Sequence, residues 1–133
     1  MDYFDWYAAY LHRTCPVVDA HLDLVTEVYR RRQAGERGIL NKYYNKEFQK
    51  GGVNLVFASL FLGQGELEDC KENGMFPEGS ILKKSMEMLA VFYEDMEETR
   101  GQIQLVTDRE SLYRIIAKRS LTDKRRKIII RMQ

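Results

Sequence analysis

The feature that most constrains the fold is a nearly continuous apolar run at residues 53–62, which follows Gly51 and Gly52 and is interrupted only by Asn54 and Ser59. Such a run is typical of a strand that is buried on both faces, and strands of this kind belong to parallel sheets covered by helices. The run is far shorter than the about 20 apolar residues that cross a bilayer. It therefore predicts a parallel α/β domain with no membrane span.

Further strands and helices are predicted on both sides of this run. Short apolar stretches predict strands at residues 17–22 and 103–106, and a fourth strand begins at Lys127. Helical spacing of apolar residues predicts helices at residues 2–13, 24–33 and 42–49, between Ser80 and Gly101, and around Leu112, Ile115 and Ile116. Because strands and helices alternate, we expect either an open doubly wound sheet or a β/α barrel, of which four strands would form half.

Several helix ends carry capping signals. Ser80 is the predicted N-cap of the long helix, and Gly101 is its predicted stop. Thr107 and Glu110 have the spacing of a capping box in front of the last helix. These signals set the predicted boundaries of the two C-terminal helices.

The segment at residues 63–79 is rich in glycine and acidic residues and predicts a surface loop after the buried strand. The sequence Gly63-Gln64-Gly65 is not followed by a helix start with a third glycine, so no dinucleotide-binding loop is expected. The acidic residues also lack the spacing of a calcium loop, so we expect a solvated acidic surface; they are Glu66, Glu68, Asp69 and Glu72.

Composition limits the partners of the chain. The 133 residues are 44% hydrophobic and 31% charged, which predicts one globular domain over residues 1–133. The formal net charge is +1, but residues 114–133 carry eight Lys or Arg against one acid, Asp123. A short basic cluster at a chain end, without interleaved aromatic residues, is usually solvated, so no nucleic-acid partner is predicted.

The cysteines and the first residues predict a cytoplasmic location. Cys15 and Cys70 are too few for a disulfide framework and lack the spacing of a zinc knuckle, so we expect free thiols in a reducing compartment. The chain begins with the acids Asp2 and Asp5 where a secretory signal would carry basic residues.

The chemistry-bearing feature is the sequence Val17-Val18-Asp19-Ala20-His21-Leu22-Asp23-Leu24. Side chains alternate between the two faces of a strand, so His21 and Asp23 are expected to point the same way. An imidazole nitrogen and a carboxylate oxygen side by side can bind one metal ion. We therefore predict that His21 and Asp23 are metal ligands.

His21-x-Asp23 at the end of the first strand resembles the membrane (renal) dipeptidase family of zinc metallopeptidases, as does Gly51-Gly52-Val53 before an aromatic-rich strand that ends in Ser59-Leu60-Phe61. The resemblance covers only the N-terminal third or so of such an enzyme. It implies that the chain is a partial domain, the N-terminal half of a β/α (TIM-type) barrel, and that His21 and Asp23 bind one of two zinc ions.

The resemblance implies hydrolysis of a dipeptide substrate by a water held between two zinc ions. A glutamate that bridges the metals and two further histidines would complete the ligand set, but none of them is present as such. Gln133 lies at or near the position of the glutamate, and an uncharged amide is a poor bridge between two cations. We therefore expect weak or absent zinc binding and no activity from this chain alone.

The remaining aromatic and histidine residues have simpler interpretations. Tyr3, Tyr7 and Tyr10 form a stripe with Trp6, which we expect to dock over the floor of the barrel rather than to face a partner or a membrane surface. His12, on the same helix, is expected to be a surface or packing residue rather than a metal ligand.

The alternative to an enzyme fragment is a non-catalytic α/β interaction module or a degenerate relative of the dipeptidases. In either case a partial barrel would leave the edges of its first and last strands open. We therefore predict self-association through these open sheet edges.

Overall fold

A computed structural model describes residues 2–117 and 128–132 of the chain. The strands are β1 (Val17–Leu22), β2 (Val53–Ala58), β3 (Ile103–Val106) and β4 (Ile128–Met132). The helices are α1 (Tyr3–Thr14), α2 (Leu24–Gln33), α3 (Lys46–Lys50), α4 (Gln64–Glu68), α5 (Ser80–Glu98) and α6 (Arg109–Ala117), and a π-helix covers Leu40–Asn45. Most of the basic segment at residues 114–133 lies outside the described residues, as does Gln133.

The four strands form one parallel sheet with the order β1-β2-β4-β3. The predicted mixed α/β fold with a parallel sheet is therefore confirmed. In half of a barrel made from all four strands, neighbours would follow chain order as 1-2-3-4. Here β4 lies between β2 and β3, so the four strands together do not have the expected order of a half-barrel.

The main core lies between one face of the sheet and the helices that follow β1 and precede β3. β2 supplies Val56 and Ala58, both fully buried. Their neighbours come from α2, the π-helix and α5, and include Leu24, Val25, Val28, Leu40, Met88 and Phe92. A smaller cluster on the other face joins Leu55 and Val106 to Phe57, Leu112 and Ile115. The prediction that β2 is buried on both faces is confirmed.

Helix α1 does not dock as the sequence predicted. None of its residues is buried against the described part of the chain, and the residues Tyr3 and Phe4 are 68% and 78% exposed. The aromatic rings contact one another instead: Trp6 stacks on Tyr10 with ring centroids 5.8 Å apart, and Tyr3 stacks on Tyr7 at 6.2 Å. The helix has a capping box at its first turn, in which Asp2 and Asp5 each accept the backbone N–H of the other.

Two predicted caps are wrong by one residue. Gly79, with φ of +75°, precedes the first residue of α5, which is Ser80 itself. Before α6 the carboxylate of Asp108 accepts the backbone N–H of Ser111 at 2.7 Å, so the Asp108 side chain takes the capping role that was predicted for Thr107. Asp108 is favoured over Thr107 as the cap because its negative charge interacts favourably with the positive N-terminal end of the helix dipole. The backbone N–H and the hydroxyl of Ser111 both donate to the Asp108 carboxylate, and these hydrogen bonds hold the pKa of Asp108 below its ordinary value.

Two further predictions concern membranes and thiols. Within residues 2–117 and 128–132, no helix combines the length and hydropathy that a membrane crossing requires. Cys15 is exposed and Cys70 is buried, and both are free thiols, as predicted.

The helical layer is held together by a buried ion cluster. The Arg32 guanidinium of α2 donates to Asp95 at 2.9 Å and to Glu98 at 2.8 Å, both on α5. Asp95 is fully buried and also accepts the backbone N–H groups of Ile39 and Leu40 at 3.0 and 2.8 Å. A single carboxylate therefore joins α2, α5 and the start of the π-helix.

Candidate metal site at the carboxyl edge of the sheet

The carboxyl ends of β1, β2 and β4 lie in one row. Leu22 pairs with Ala58, and Ala58 pairs with Met132. The backbone N–H of Ser59 donates to the carbonyl of Leu22 at 2.8 Å, which extends the ladder by one residue. Residues that follow these strands are therefore held at one edge, which is where α/β folds place their sites.

The structure brings His21 and Asp23 together at this edge. His21 Nε2 lies 3.2 Å from Asp23 Oδ1. The predicted convergence of the two side chains is therefore confirmed, although its cause is only partly strand alternation. β1 ends at Leu22, and Asp23 is already the N-cap position of α2, so the turn into the helix also directs its carboxylate.

The pair faces solvent. The side chains of His21 and Asp23 are 66% and 52% exposed, so an ion or a substrate can reach both. The backbone N–H of His21 donates to Asp19 Oδ1 at 3.1 Å, which ties the end of the strand locally. The exposed position suits binding more than a structural ion pair, since exposed pairs contribute little to stability.

Ser59 is a site residue that sequence reasoning missed. Its hydroxyl lies 2.9 Å from His21 Nδ1, and the residue is only 6% exposed. Together the three side chains form a chain of hydrogen-bond contacts, Ser59–His21–Asp23. The available signal was the polar interruption at the end of the apolar run, but its partner lies 38 positions away in the sequence.

The Ser59–His21–Asp23 contacts do not suit nucleophilic catalysis by Ser59. In a nucleophilic triad the hydroxyl must reach the substrate, and the carboxylate at the other end is the buried group. Here the order of exposure is reversed, since Ser59 is buried and Asp23 is exposed. The accessible end is the pair of His21 Nε2 and Asp23 Oδ1, which is the end that a cation can reach.

The residues present suit part of a metal site. An imidazole nitrogen and a carboxylate oxygen converge, and the second ring nitrogen of the histidine has a polar partner, as metal-ligating histidines usually do. The described residues contain no cluster of three or more His, Cys, Asp and Glu side chains that could hold a metal ion. His12 lies exposed on α1, which confirms its predicted surface position.

A short helix occupies the first part of the predicted surface loop, while Glu68, Asp69 and Glu72 are exposed as predicted. Gly63 is the N-cap of α4, which occupies residues that were expected to form a solvated acidic loop. Glu66 of α4 is buried and accepts from Arg30 Nε and Nη2 of α2 at 2.6 and 2.8 Å. The expectation of a solvated surface is therefore wrong for Glu66, and a helix does begin after Gly63.

The Arg30–Glu66 pair anchors the segment that leaves β2. The Arg30 guanidinium, together with the backbone N–H of Gly63 that lies 2.9 Å from Glu66 Oε2, lowers the pKa of Glu66 to about 2. The hydroxyl of Thr26 in α2 also donates to the carbonyl of Phe61. These contacts attach the backbone after Ser59 to α2, the helix whose N-cap position is Asp23, so both sides of the site contact α2.

Comparison of the chain with family models, with curated proteins and with solved structures finds no match. The resemblance to zinc dipeptidases therefore remains a prediction from the residues themselves.

Proposed function

We propose that the chain is the N-terminal part of a zinc-dependent dipeptidase in which His21 and Asp23 are two of the metal ligands. The observation that supports this most is the 3.2 Å approach of His21 Nε2 to Asp23 Oδ1 at the carboxyl edge of a parallel sheet. The proposed setting is a reducing cytoplasm, in keeping with the free thiols of Cys15 and Cys70.

The strand order is compatible with the start of a barrel if β3 is set aside. β1, β2 and β4 are neighbours in that order, all parallel, as the first three strands of a β/α barrel would be. In this proposal β3 occupies the edge beside β4, where a later barrel strand would otherwise pair. The proposal that the chain is the N-terminal part of a β/α barrel is therefore supported by the order of three strands, β1, β2 and β4, rather than four.

In this proposal Asp23 supplies a hard anionic ligand and His21 supplies a neutral nitrogen. Two zinc ions, when bound in a complete site, lower the pKa of a bound water to about 7 and polarise the carbonyl that is cleaved. Catalytic zinc normally has three protein ligands, so we expect weak zinc binding and no dipeptide hydrolysis from His21 and Asp23 alone.

The proposal is tested by titrating the chain with zinc and following the two histidine rings by NMR. We expect saturable shifts of the His21 ring, which disappear in Asp23→Ala, and no saturable binding in His21→Ala. His12→Ala is the matched control and should bind zinc as the unchanged chain does. A Cys15→Ser background removes the exposed thiol as a competing ligand.

Zinc binding that survives both His21→Ala and Asp23→Ala would overturn the proposal. The same conclusion would follow if the His21 ring resonances did not shift at millimolar zinc. At this concentration even a site with a binding free energy of only about −4 kcal/mol is substantially occupied.

The second candidate function is a non-catalytic α/β interaction module. It is favoured by the aromatic residues exposed on α1 and by β1, which has a strand partner on only one side among the described residues. Exposed sheet edges and apolar patches are typical association surfaces. Zinc-independent self-association, together with no effect of zinc on the His21 ring, would favour this function over the first.

A further inference from the structure

The hydrogen-bond contacts of the His21 ring at both nitrogens carry an inference beyond the ligand pair. Nδ1 faces the Ser59 hydroxyl at 2.9 Å, and Nε2 faces the Asp23 carboxylate at 3.2 Å. A neutral imidazole has one N–H and one lone pair, so only one nitrogen can donate at a time. The two partners differ, because a carboxylate only accepts whereas a hydroxyl can donate or accept.

Without a cation, the arrangement favours one tautomer. Nε2–H donates to Asp23, and the Ser59 hydroxyl donates to the Nδ1 lone pair. The opposite tautomer would place the Nε2 lone pair against a carboxylate oxygen, which is repulsive. Ser59 is therefore needed as a donor in this state.

When a cation lies between Nε2 and the Asp23 carboxylate, the preferred tautomer is reversed. The Nε2 lone pair then faces the cation, and the ring proton is on Nδ1, where the Ser59 hydroxyl accepts it. Ser59 is buried just after β2, and its backbone N–H donates to the carbonyl of Leu22. Because a hydroxyl can both donate and accept, the same Ser59 oxygen can bond Nδ1 in either tautomer.

We infer that Ser59 is a positioning residue that directs Nε2 of His21 to the metal, by reversing its hydrogen bond with Nδ1 as the ring changes tautomer. This inference rests on the proposed metal-binding function of His21 and Asp23. A metal-ligating histidine usually donates its second ring N–H to a carboxylate or a backbone carbonyl, and here the buried hydroxyl of Ser59 would accept that hydrogen bond.

The first test uses the metal-free chain and the nitrogen shifts of its two histidine rings at about pH 8, where a free imidazole is neutral. We expect the His21 ring to carry its proton on Nε2, with one ring orientation and close contacts to Ser59. In Ser59→Ala the ring should lose this fixed orientation, whereas Ser85→Ala, a serine hydroxyl bonded within α5, should leave it unchanged. A His21 ring as mobile and as mixed in tautomer as that of His12 would overturn the inference.

The second test adds zinc to the same variants. We expect zinc to shift the His21 ring to the Nδ1–H tautomer, and Ser59→Ala to weaken zinc binding by about 10-fold or more, as loss of such outer partners does. Ser59→Thr keeps the hydroxyl and should retain affinity within a few-fold. Thermal unfolding of each variant shows whether the fold is kept.

The outcomes separate this inference from the proposed function. If zinc binds at His21 but Ser59→Ala changes neither affinity nor the ligating nitrogen, Ser59 has no positioning role and the metal proposal stands. If zinc does not bind at all, the metal proposal fails, and with it the direction of Nε2 to a metal. The metal-free spectra then still show whether Ser59 orders the ring.

Discussion

At the residue scale, Glu66 is a buried acidic side chain in a segment that the sequence predicts to be a solvated loop. It is buried beneath Arg30, and its pKa is about 2 instead of 4.5. A carboxyl with a lowered folded-state pKa stabilises the fold above the unfolded-state pKa and loses that contribution as pH falls through the folded-state value. The Arg30–Glu66 pair should therefore stabilise fully above about pH 5 and weaken progressively towards pH 2.

We expect Glu66→Gln to lower the free energy of unfolding by about 1–2 kcal/mol at pH 7, since Arg30 is half exposed and solvent screens the pair. The difference should shrink as pH falls from about 5 towards 2. Urea unfolding of both proteins across this range measures it. Glu68→Gln on the same helix is the control, and a pH-independent difference for Glu66→Gln would contradict the assignment.

Gly63 permits the Arg30–Glu66 pair. A Cβ at this position would lie 2.7 Å from Arg30 Nη2 and 2.9 Å from Glu66 Oε2. We expect Gly63→Ala to cost about 1–2 kcal/mol through displacement of these groups and loss of a good N-cap. Gly65→Ala on the same helix meets nothing within 4 Å and should be neutral or slightly stabilising.

Equal unfolding free energies for the two alanine variants in urea would show that Gly63 has no special role.

The residue pattern predicts some of the site and misses the rest for a clear reason. His21 and Asp23 are two positions apart, so local geometry alone suffices to place them together. Ser59 and Glu66 depend on partners 38 and 36 positions away, which only the sheet register and the packing of α2 bring near. Sequence spacing carries no signal for such contacts.

At the element scale, α2 is attached to α5 by the Arg32 cluster. The guanidinium is 6% exposed and holds the pKa of Glu98 below its ordinary value. Its main partner, Asp95, has no exposure at all. Removing the guanidinium would leave the buried carboxylate without its counter-ion, bonded to the backbone N–H groups of Ile39 and Leu40.

We expect Arg32→Met to lower the free energy of unfolding by about 3–5 kcal/mol, because the Asp95 charge loses its counter-ion inside the protein. Arg31→Met is the matched control on the neighbouring position. Arg31 forms half-exposed pairs with Glu27 and Glu36, so its loss should cost about 1 kcal/mol or less. Similar costs for the two variants in denaturant unfolding would contradict a special role for the buried cluster.

The existence of most elements follows from local pattern, but their placement does not. β2 is predicted because its nearly continuous apolar run lacks the polar face of an amphipathic helix. α5 is predicted because apolar residues recur at helical spacing over a long segment. The predicted strand at Ile103 exists, yet its position beside β4 rather than β2 depends on long-range pairing. The five-residue α4 is too short for a periodic signal and depends on Arg30.

At the scale of the whole molecule, α1 contributes surface rather than core. None of its residues is buried against the described part of the chain, and its exposed aromatic residues are Tyr3, Phe4, Trp6, Tyr7 and Tyr10. The helical spacing of these aromatic residues predicted a helix docked on the core, but in the structure the rings stack on one another along the helix surface. An aromatic surface of this kind favours association.

We expect deletion of residues 2–14 to leave the melting temperature within a few degrees of the full chain, because the deleted side chains are not part of the core. The same deletion should reduce concentration-dependent association in sedimentation velocity. If association persists, Val18→Lys tests whether the sheet edge is responsible, because β1 has a strand partner on only one side among residues 2–117 and 128–132. A large fall in melting temperature on deletion would show that α1 is part of the folded core.

The central claim is that His21 and Asp23 form two ligands of one metal site at the carboxyl edge of the sheet. Anomalous diffraction at the zinc absorption edge, from crystals grown with zinc, tests it most directly. The account predicts one peak between His21 Nε2 and the Asp23 carboxylate, about 2.0–2.2 Å from each, with Ser59 still bonded to Nδ1. A structure in which the two side chains diverge, or in which zinc binds only at other residues, would contradict it.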